Sequence, residues 1–301
     1  MTHFKLTYAK REHLMFYLFL TPALLGLLIF TLGPMIASLY YSLCDYEIVN
    51  PPVWIGLDNY RRLFLIDPLP MHALGVTAYY AFVGVPLRLF AQLFIAILLN
   101  RALFAKSIFR TILYLPSIVS GVALSLLWVW LLNPEFGLVN LLLWRLFHIE
   151  GPRWLTSTEW VIPALILMSM WGIGGGMVVC LAGLQGIPEE QYEAAELDGA
   201  GGLQKFRYVT FPYMTPVLFF NLVMGIIGSF QVFTQGYIMT NGGPSNASLF
   251  YVLYLYWNAF NYFKMGYASA LSWVLFAVIM CLTLLVFRSS SLWVFYEGSV
   301  K

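Results

Sequence analysis

The stretch EAAELDGAGGLQKFRYVTFP, Glu193 to Pro212, places five charged side chains and three glycines between two long apolar runs. Just before it, residues 188–190 supply a proline and two glutamates, which suit the first turn of a helix and its dipole. We expect a short helix over residues 188–198. Gly199 should end this helix, because glycine adopts left-handed backbone conformations at little cost. A second short helix should follow, with Pro212 beginning the next apolar run.

The composition around this stretch is that of an integral membrane protein. Of the 301 residues, 60% are hydrophobic and 10% are charged, and the mean hydropathy is +0.78; soluble domains are far more polar. A formal net charge of +2 gives no indication of a nucleic-acid partner. The three cysteines and four histidines are scattered, so we expect no metal site, no disulfide framework and no catalytic site.

Six apolar runs are long enough to cross a bilayer, which needs about 20 residues each. The predicted fold is therefore all-α, with a core domain over residues 60–290. The predicted segments are a tail (1–12), spans at 13–43, 72–99, 108–132, 160–184, 212–239 and 268–288, a polar segment at 185–211, and a loop at 240–267 with an interfacial helix. We call residues 185–211 the elbow.

The distribution of basic residues predicts the orientation. Cytoplasmic segments of membrane proteins are enriched in Lys and Arg. With the N-terminus inside, the inner segments hold Lys5, Lys10, Arg11, Arg101, Lys106, Arg110, Lys205, Arg207, Arg288 and Lys301, and the outer segments hold Arg61, Arg62, Arg145, Arg153 and Lys264. We expect both termini and the elbow in the cytoplasm.

The elbow has two interpretations. A cytoplasmic loop is often only a solvated connector. Here small apolar residues, among them Ala194 and Ala195, alternate with acidic ones, and they leave a flat apolar surface that water does not favour. That surface suggests docking into a groove of a partner protein.

The elbow also resembles a known family. Its residues match the EAA-type motif of the permease subunits of binding-protein-dependent ABC importers, at that family's spacing. The matching residues are Glu193, Ala194, Ala195, Asp198, Gly199, Ala200, Phe206 and Pro212. In that family the segment is a coupling helix that docks into a cleft of the ATP-hydrolysing subunit. The resemblance implies this role for Glu193, Ala194, Ala195, Asp198 and Gly199.

The resemblance extends over most of the chain and points to the carbohydrate-uptake branch, specifically the maltose F-type and glycerol-phosphate A-type permeases. It is carried by GLDNY (56–60), Thr77, VPLRLFAQLFIAILLN (85–100), TNGGP (240–244) and GYASALS (266–272). It implies a type I importer permease fold in a bacterial inner membrane. The implied partners are a second, non-identical permease, two ATPase subunits that bind ATP and Mg²⁺, an extracytoplasmic solute-binding protein and membrane lipid.

Polar side chains inside spans are costly unless they face protein or water, so they indicate a substrate pathway. The fifth run has small and amide side chains on one helical face. The face contains Asn221, Gly225, Gly228, Val232 and Gln235, with Ser229 and Gln231 flanking it. Amides offer sugar hydroxyls both donors and acceptors, but small and amide residues also join helices by ordinary packing. Both interpretations stay open.

Arg88 is a strong charge within a span, about 18 Å along the helix from its cytoplasmic end. It either has a structural role, facing a cavity, carbonyl groups or a partner subunit, or contacts an anionic sugar. The glycines at 172 and 174–176 lie inside the fourth run, where they predict close helix packing or a kink.

Three classes of function are compatible with a polytopic membrane protein. The expected one is a transport subunit that imports a sugar or oligosaccharide by alternating access, with ATP hydrolysed elsewhere, because the chain has no GxxxxGK[ST] phosphate loop. The alternative is a secondary transporter or channel driven by an ion gradient, although such proteins usually hold acidic groups in mid-span. A membrane enzyme is the third, and it would need clustered catalytic groups.

Overall fold

The computed structural model describes residues 8–100 and 106–295. The basic residues Lys5, Arg101 and Lys301, which contribute to the predicted orientation, lie outside the described residues. The described part of the chain is helical, so the all-α prediction is confirmed. Its α-helices are α1 Tyr8–Leu27, α2 Gly33–Ser42, α3 Asp58–Arg61, α4 Leu69–Asn100, α5 Lys106–Tyr114, α6 Gly121–Leu131, α7 Leu138–Phe147, α8 Val161–Trp171, α9 Gly174–Gln185, α10 Glu189–Leu197, α11 Gly202–Lys205, α12 Phe211–Phe230, α13 Tyr251–Tyr256 and α14 Met265–Trp293.

Short π-helical segments extend several of these helices. They cover Leu28–Leu32, Arg62–Ile66, Phe206–Thr210, Gly236–Thr240 and Trp257–Asn261, and a 3₁₀ turn covers Leu115–Ser117. The strands β1 (Cys44–Asp45) and β2 (Val53–Trp54) pair antiparallel, with Cys44 opposite Trp54.

Four helical stretches are long and apolar enough to cross a membrane: Met15–Ser42, Leu69–Asn100, Gly202–Phe230 and Met265–Trp293. Two further spans are bent pairs, α5 with α6 at 97° and α8 with α9 at 49°. Counting each bent pair as one span gives six in the described residues.

The third span differs from a straight helix over residues 108–132 because its sequence interrupts helical hydrogen bonding. Pro116 lies in the 3₁₀ turn and has no N–H to donate. Ser120 then starts α6 as its N-cap, and its side chain accepts a hydrogen bond from the Ala123 N–H at 3.3 Å.

The fifth span also differs at its start. We expected Pro212 to begin it, but helix runs without a break from Gly202 to Phe230. A proline inside a helix has no N–H and clashes with the carbonyl four residues before it. The wider π-turn over Phe206–Thr210, immediately before Pro212, accommodates this ring.

The chain divides into two compact units, one formed by residues up to Ile66 with Trp257–Trp273, and the other by Asp67–Tyr256 with residues from Val274 onward. In the first unit, the side chain of Asn59 in the GLDNY motif caps the C-terminal end of α2 and connects it to the hairpin of β1 and β2. Its amide donates to the Ser42 carbonyl at 3.0 Å and to the Cys44 carbonyl at 2.8 Å. Carbonyls at a helix C-terminus lack helical partners, so Asn59 has a structural role.

The core of the second unit lies between α4, α9 and α12. Buried apolar side chains fill it, among them Leu99, Met177, Leu184 and Met214. Glycines let the helices approach closely: a Cβ on Gly183 would lie 2.7 Å from Val217 Cγ2.

The glycines of the fourth span also permit close packing. A Cβ on Gly174 would lie 2.5 Å from the Leu113 carbonyl oxygen. The span bends just before Gly174. The predicted kink is confirmed, and close packing is confirmed at Gly174 and Gly176, whereas a Cβ on Gly175 would meet nothing within 4 Å.

The segment predicted as a loop with an interfacial helix contains α13, which packs within the second unit. Tyr251 and Leu253 are fully buried, and the Tyr251 N–H donates to Thr77 Oγ1 on α4 at 2.9 Å. Phe250 also meets Tyr80 of α4 edge to face, at 5.3 Å between ring centroids.

Candidate functional site

The elbow is a helical projection whose turn is fixed by backbone hydrogen bonds. Helix α10 begins after Pro188, with Glu189 and Glu190 in its first turn. It ends at Leu197, and Gly199, two residues later, has φ +76°. The Gly199 N–H donates to Glu196 O and the Ala200 N–H donates to Ala195 O, both at 2.9 Å. This pair of bonds is a Schellman motif, which satisfies carbonyls that a helix end otherwise leaves free.

Two side-chain contacts hold α10 against the helix that follows it. Lys205 Nζ lies 2.5 Å from Glu196 Oε1, and the hydroxyl groups of Tyr192 and Thr210 lie 3.0 Å apart. The Gln204 side chain accepts a hydrogen bond from the Gly201 N–H at 2.7 Å, which caps α11. The elbow is therefore attached to the base of the fifth span through its own residues.

The residues expected to couple to an ATPase do not all face the same way. Glu193, Ala194, Asp198 and Gly199 are exposed. Ala195 instead packs against the buried cluster between α4, α9 and α12. Its position is that of an anchor for the exposed face of α10.

The elbow exposes three large apolar residues, of which sequence reasoning placed Leu197 on the apolar surface but missed Leu203 and Tyr208. Leu197, Leu203 and Tyr208 are 90%, 81% and 71% exposed. Exposed apolar groups clustered on one projection indicate a protein-binding surface. The sequence did contain a signal for this exposure: a leucine lies on each side of the glycine-rich turn at 199–202. Side chains next to such a turn have few neighbours to pack against.

The polar face predicted on the fifth span divides into two edges. On the buried edge, the Asn221 amide donates to the Gly176 carbonyl at 3.3 Å and lies 3.4 Å from Cys180 Sγ. A Cβ on Gly225 would lie 3.0 Å from Val85 Cγ1. These two residues join α12 to α9 and α4, as the packing interpretation expected.

The other edge is accessible. Gly228 and Gln231 are exposed and Gln235 is half-buried. Because α12 ends at Phe230, Gln231 and Gln235 lie beyond the helical face on which the sequence placed them. A Cβ on Gly228 would meet no atom within 4 Å. Two large apolar residues, Phe220 and Met224, continue the exposed edge, each 53% exposed.

Arg88 lies where these edges meet. Its Nη2 donates a hydrogen bond to Ser229 Oγ, and its guanidinium carbon lies 5.8 Å from the centroid of the buried Tyr80 ring. On the next turn of α4, the Gln92 amide lies so close to Gly176 that any larger side chain there would collide with it. Gln92 Oε1 is buried and accepts no hydrogen bond from any described residue.

Metal coordination is not indicated in residues 8–100 and 106–295, where no three His, Cys, Asp or Glu side chains group together as a metal site would require. Burial raises the pKa of Tyr251, near α4, which keeps its phenol protonated.

Comparison with known proteins identifies the family. A profile described as "Binding-protein-dependent transport system inner membrane component" matches residues 92–292. The probable ABC transporter permease protein YesP of Bacillus subtilis (strain 168) is 43% identical over 96% of this chain and 94% of its own length. The sulfoquinovosyl glycerol transport system permease protein SmoG of Agrobacterium fabrum (strain C58) is 32% identical over 92% of this chain and 90% of its own.

Solved structures show the same fold. The crystal structure of a bacterial ABC transporter involved in the import of the acidic polysaccharide alginate matches with a TM-score of 0.79 and 23% identity, covering 93% of this chain and 96% of that one. The predicted type I importer permease fold is confirmed. This chain is a multi-pass membrane protein and belongs to the family of inner-membrane components of binding-protein-dependent transport systems, the permease subunits of ABC transporters.

Proposed function

We propose that this chain is one permease subunit of an ATP-driven importer that moves an oligosaccharide across the cytoplasmic membrane by alternating access. The observation that carries the proposal is the elbow: a short helix with exposed apolar residues, fixed by a Schellman turn and attached to a membrane-spanning helix. A displacement of that helix by a partner would be transmitted to α12.

In this proposal the exposed elbow residues contact an ATPase subunit, and two such subunits bind ATP and Mg²⁺. Glu193, Ala194, Asp198 and Gly199 form the contact together with Leu197 and Leu203, and Ala195 anchors it. The elbow and both termini then lie in the cytoplasm.

The oligosaccharide substrate is supported by the relatives. SmoG is named for sulfoquinovosyl glycerol, and the permease AraP of Bacillus subtilis, 32% identical over 91% of this chain, is named for arabinooligosaccharides. A second alginate-transporter structure, at a TM-score of 0.80, is described as bound to a periplasmic protein carrying an alginate pentasaccharide. An extracytoplasmic binding protein and a second, non-identical permease complete the proposed complex.

The substrate pathway is assigned to the exposed edge of α12 and the residues that follow it, with Gly228, Gln231 and Gln235 in contact with sugar. Asn221, Gly225 and Ser229 lie on the buried edge of α12 and pack it against the neighbouring helices. The alternative, an ion-gradient transporter or channel, is not favoured, because the family works with binding proteins.

The test is ATP hydrolysis by the complex reconstituted in liposomes with its binding protein, across a panel of oligosaccharides. We expect one class of sugar to stimulate hydrolysis and to accumulate inside vesicles oriented for import. Uptake driven by a proton or sodium gradient without ATP would contradict the proposal.

A further inference from the structure

Arg88 is a positive charge near the middle of α4 that has no anionic partner in its own part of the chain. It lies 12 residues before Asn100, or about 18 Å along the helix. Residues 68–134 and 199–296, which include α4 and α12, contain no Asp or Glu. A charge at this depth is costly unless it is paired or faces water. Any counter-charge for Arg88 therefore comes from outside these helices.

The protein holds the Arg88 guanidinium in place but leaves most of its donors unused. Ser229 Oγ donates its own hydrogen to the Gly225 carbonyl at 2.7 Å, which turns an oxygen lone pair toward Arg88. Arginine offers five N–H donors, and Ser229 is the only hydrogen-bond acceptor for Arg88 among the described residues. No described carboxylate lies within ion-pair distance of it, since the ion pair of the described chain joins Lys205 and Glu196.

The position of Arg88 makes these free donors accessible. Its side chain is half-buried, and its partner Ser229 follows directly after Gly228, the open position on the exposed edge of α12. Part of the Arg88 side chain is therefore accessible, although its partner Ser229 is itself buried.

We propose that Arg88 binds an acidic group of the transported sugar, a carboxylate or a sulfonate, and so selects anionic over neutral oligosaccharides. This inference rests on the proposed function of the chain as a sugar permease. A guanidinium presents parallel N–H groups that match two oxygens of one acid. The attraction is strong at this depth because the surroundings have a low dielectric constant.

The experiment measures equilibrium binding to the assembled permease–ATPase complex without the binding protein, so that delivery does not determine selectivity. The probes are a uronate trisaccharide and its methyl ester, which differ in charge but hardly in size. We expect the wild-type complex to bind the uronate at least tenfold more tightly than the ester. In Arg88→Gln the affinity for the uronate should fall at least tenfold, and the affinity for the ester should fall less than twofold.

Two further variants separate recognition from structure. Arg88→Lys keeps the charge but not the two parallel donors, so its preference for the uronate should be reduced but retained. This variant decides the question if Arg88→Gln fails to assemble. Arg62→Gln is the matched control, because Arg62 also lies over a tyrosine ring, that of Tyr267 at 4.8 Å, but outside the spans; it should leave both affinities unchanged.

If the affinities for the uronate and the ester fall equally in Arg88→Gln or in Arg88→Lys, the inference is overturned. That result would indicate that Arg88 pairs with an acid of the partner permease. A wild-type complex that prefers the ester would also overturn it, while the proposed function would stand. If no sugar stimulates ATP hydrolysis by the complete system, the proposed function itself fails.

Discussion

Gly225 and Gly228 are one helical turn apart on α12, but their surroundings are opposite. A Cβ on Gly225 would press on Val85 of α4, whereas a Cβ on Gly228 would lie in open space. We expect Gly225→Leu to lower the free energy of unfolding by about 1–3 kcal/mol, the usual cost of overpacking. Thermal unfolding of the purified complex measures this effect.

The same substitution at Gly228 should affect function rather than stability. Gly228→Leu fills space that the proposed pathway uses, so uptake should fall while the melting temperature and the co-purification of the ATPase are kept. If Gly228→Leu transports as well as the wild type, the exposed edge of α12 does not line the pathway.

The polar residues of the fifth span could be found from the sequence, but their division between two edges could not. Helical periodicity places Asn221, Gly225 and Gly228 on one face. Which edge of that face is buried depends on where α4 and α9 pack, and this is set by contacts such as Gly183 with Val217. Arg88 was identified as a charge in mid-span, but its partner Ser229 lies 141 residues away in sequence.

At the scale of elements, the Schellman turn of the elbow depends on a left-handed residue. Gly199 has φ +76°, and an L-residue in that conformation costs about 1–2 kcal/mol. We expect Gly199→Ala to loosen α10 and to increase amide hydrogen exchange in residues 189–205 roughly fivefold or more. Gly202→Ala is the matched control: that glycine starts α11, with nothing near its Cβ position. Equal exchange in the two variants would contradict the role of the turn.

The exposed leucines of the elbow provide a second prediction for this element. Burying a leucine in an interface contributes about 1.5–3 kcal/mol, so Leu197→Ser should weaken binding of the ATPase subunit roughly tenfold or more. Titrating the ATPase against the permease complex in nanodiscs measures the change. Leu146→Ser on α7, where Leu146 is 67% exposed, should leave the affinity unchanged. Unaltered affinity in Leu197→Ser would remove this leucine from the contact.

Spans are predictable as elements because bilayer thickness fixes the length of an apolar run. The points at which a span is interrupted are harder to predict from the sequence. Pro116 and Ser120 are ordinary within an apolar sequence, so their presence alone does not predict the 97° bend between α5 and α6 that accompanies them. Pro212 shows the reverse case: a residue that usually begins a helix lies inside one, because a π-turn precedes it.

At the scale of the whole molecule, the first span stands out because none of its apolar window is buried within the chain. Leu18, Phe19 and Phe30 are 65%, 77% and 80% exposed. We expect this face to pack against lipid and the partner permease. The chain purified alone in detergent should therefore melt at a lower temperature than in the heteromeric complex. Identical melting temperatures would show that the partner contributes nothing to its stability.

The unbroken helix from Gly202 to Phe230 gives the elbow mechanical leverage. Gly202 and Ser229 are 27 residues apart, or about 40 Å along the axis. Tilting this rod by about 5° around its elbow end would swing Ser229 sideways by about 3.5 Å, more than the length of a hydrogen bond. If α4 stayed in place, a tilt of this size would separate Ser229 from the Arg88 guanidinium. Release of the sugar from Arg88 and closure of the ATPase subunits would then be coupled by the movement of this one rigid helix.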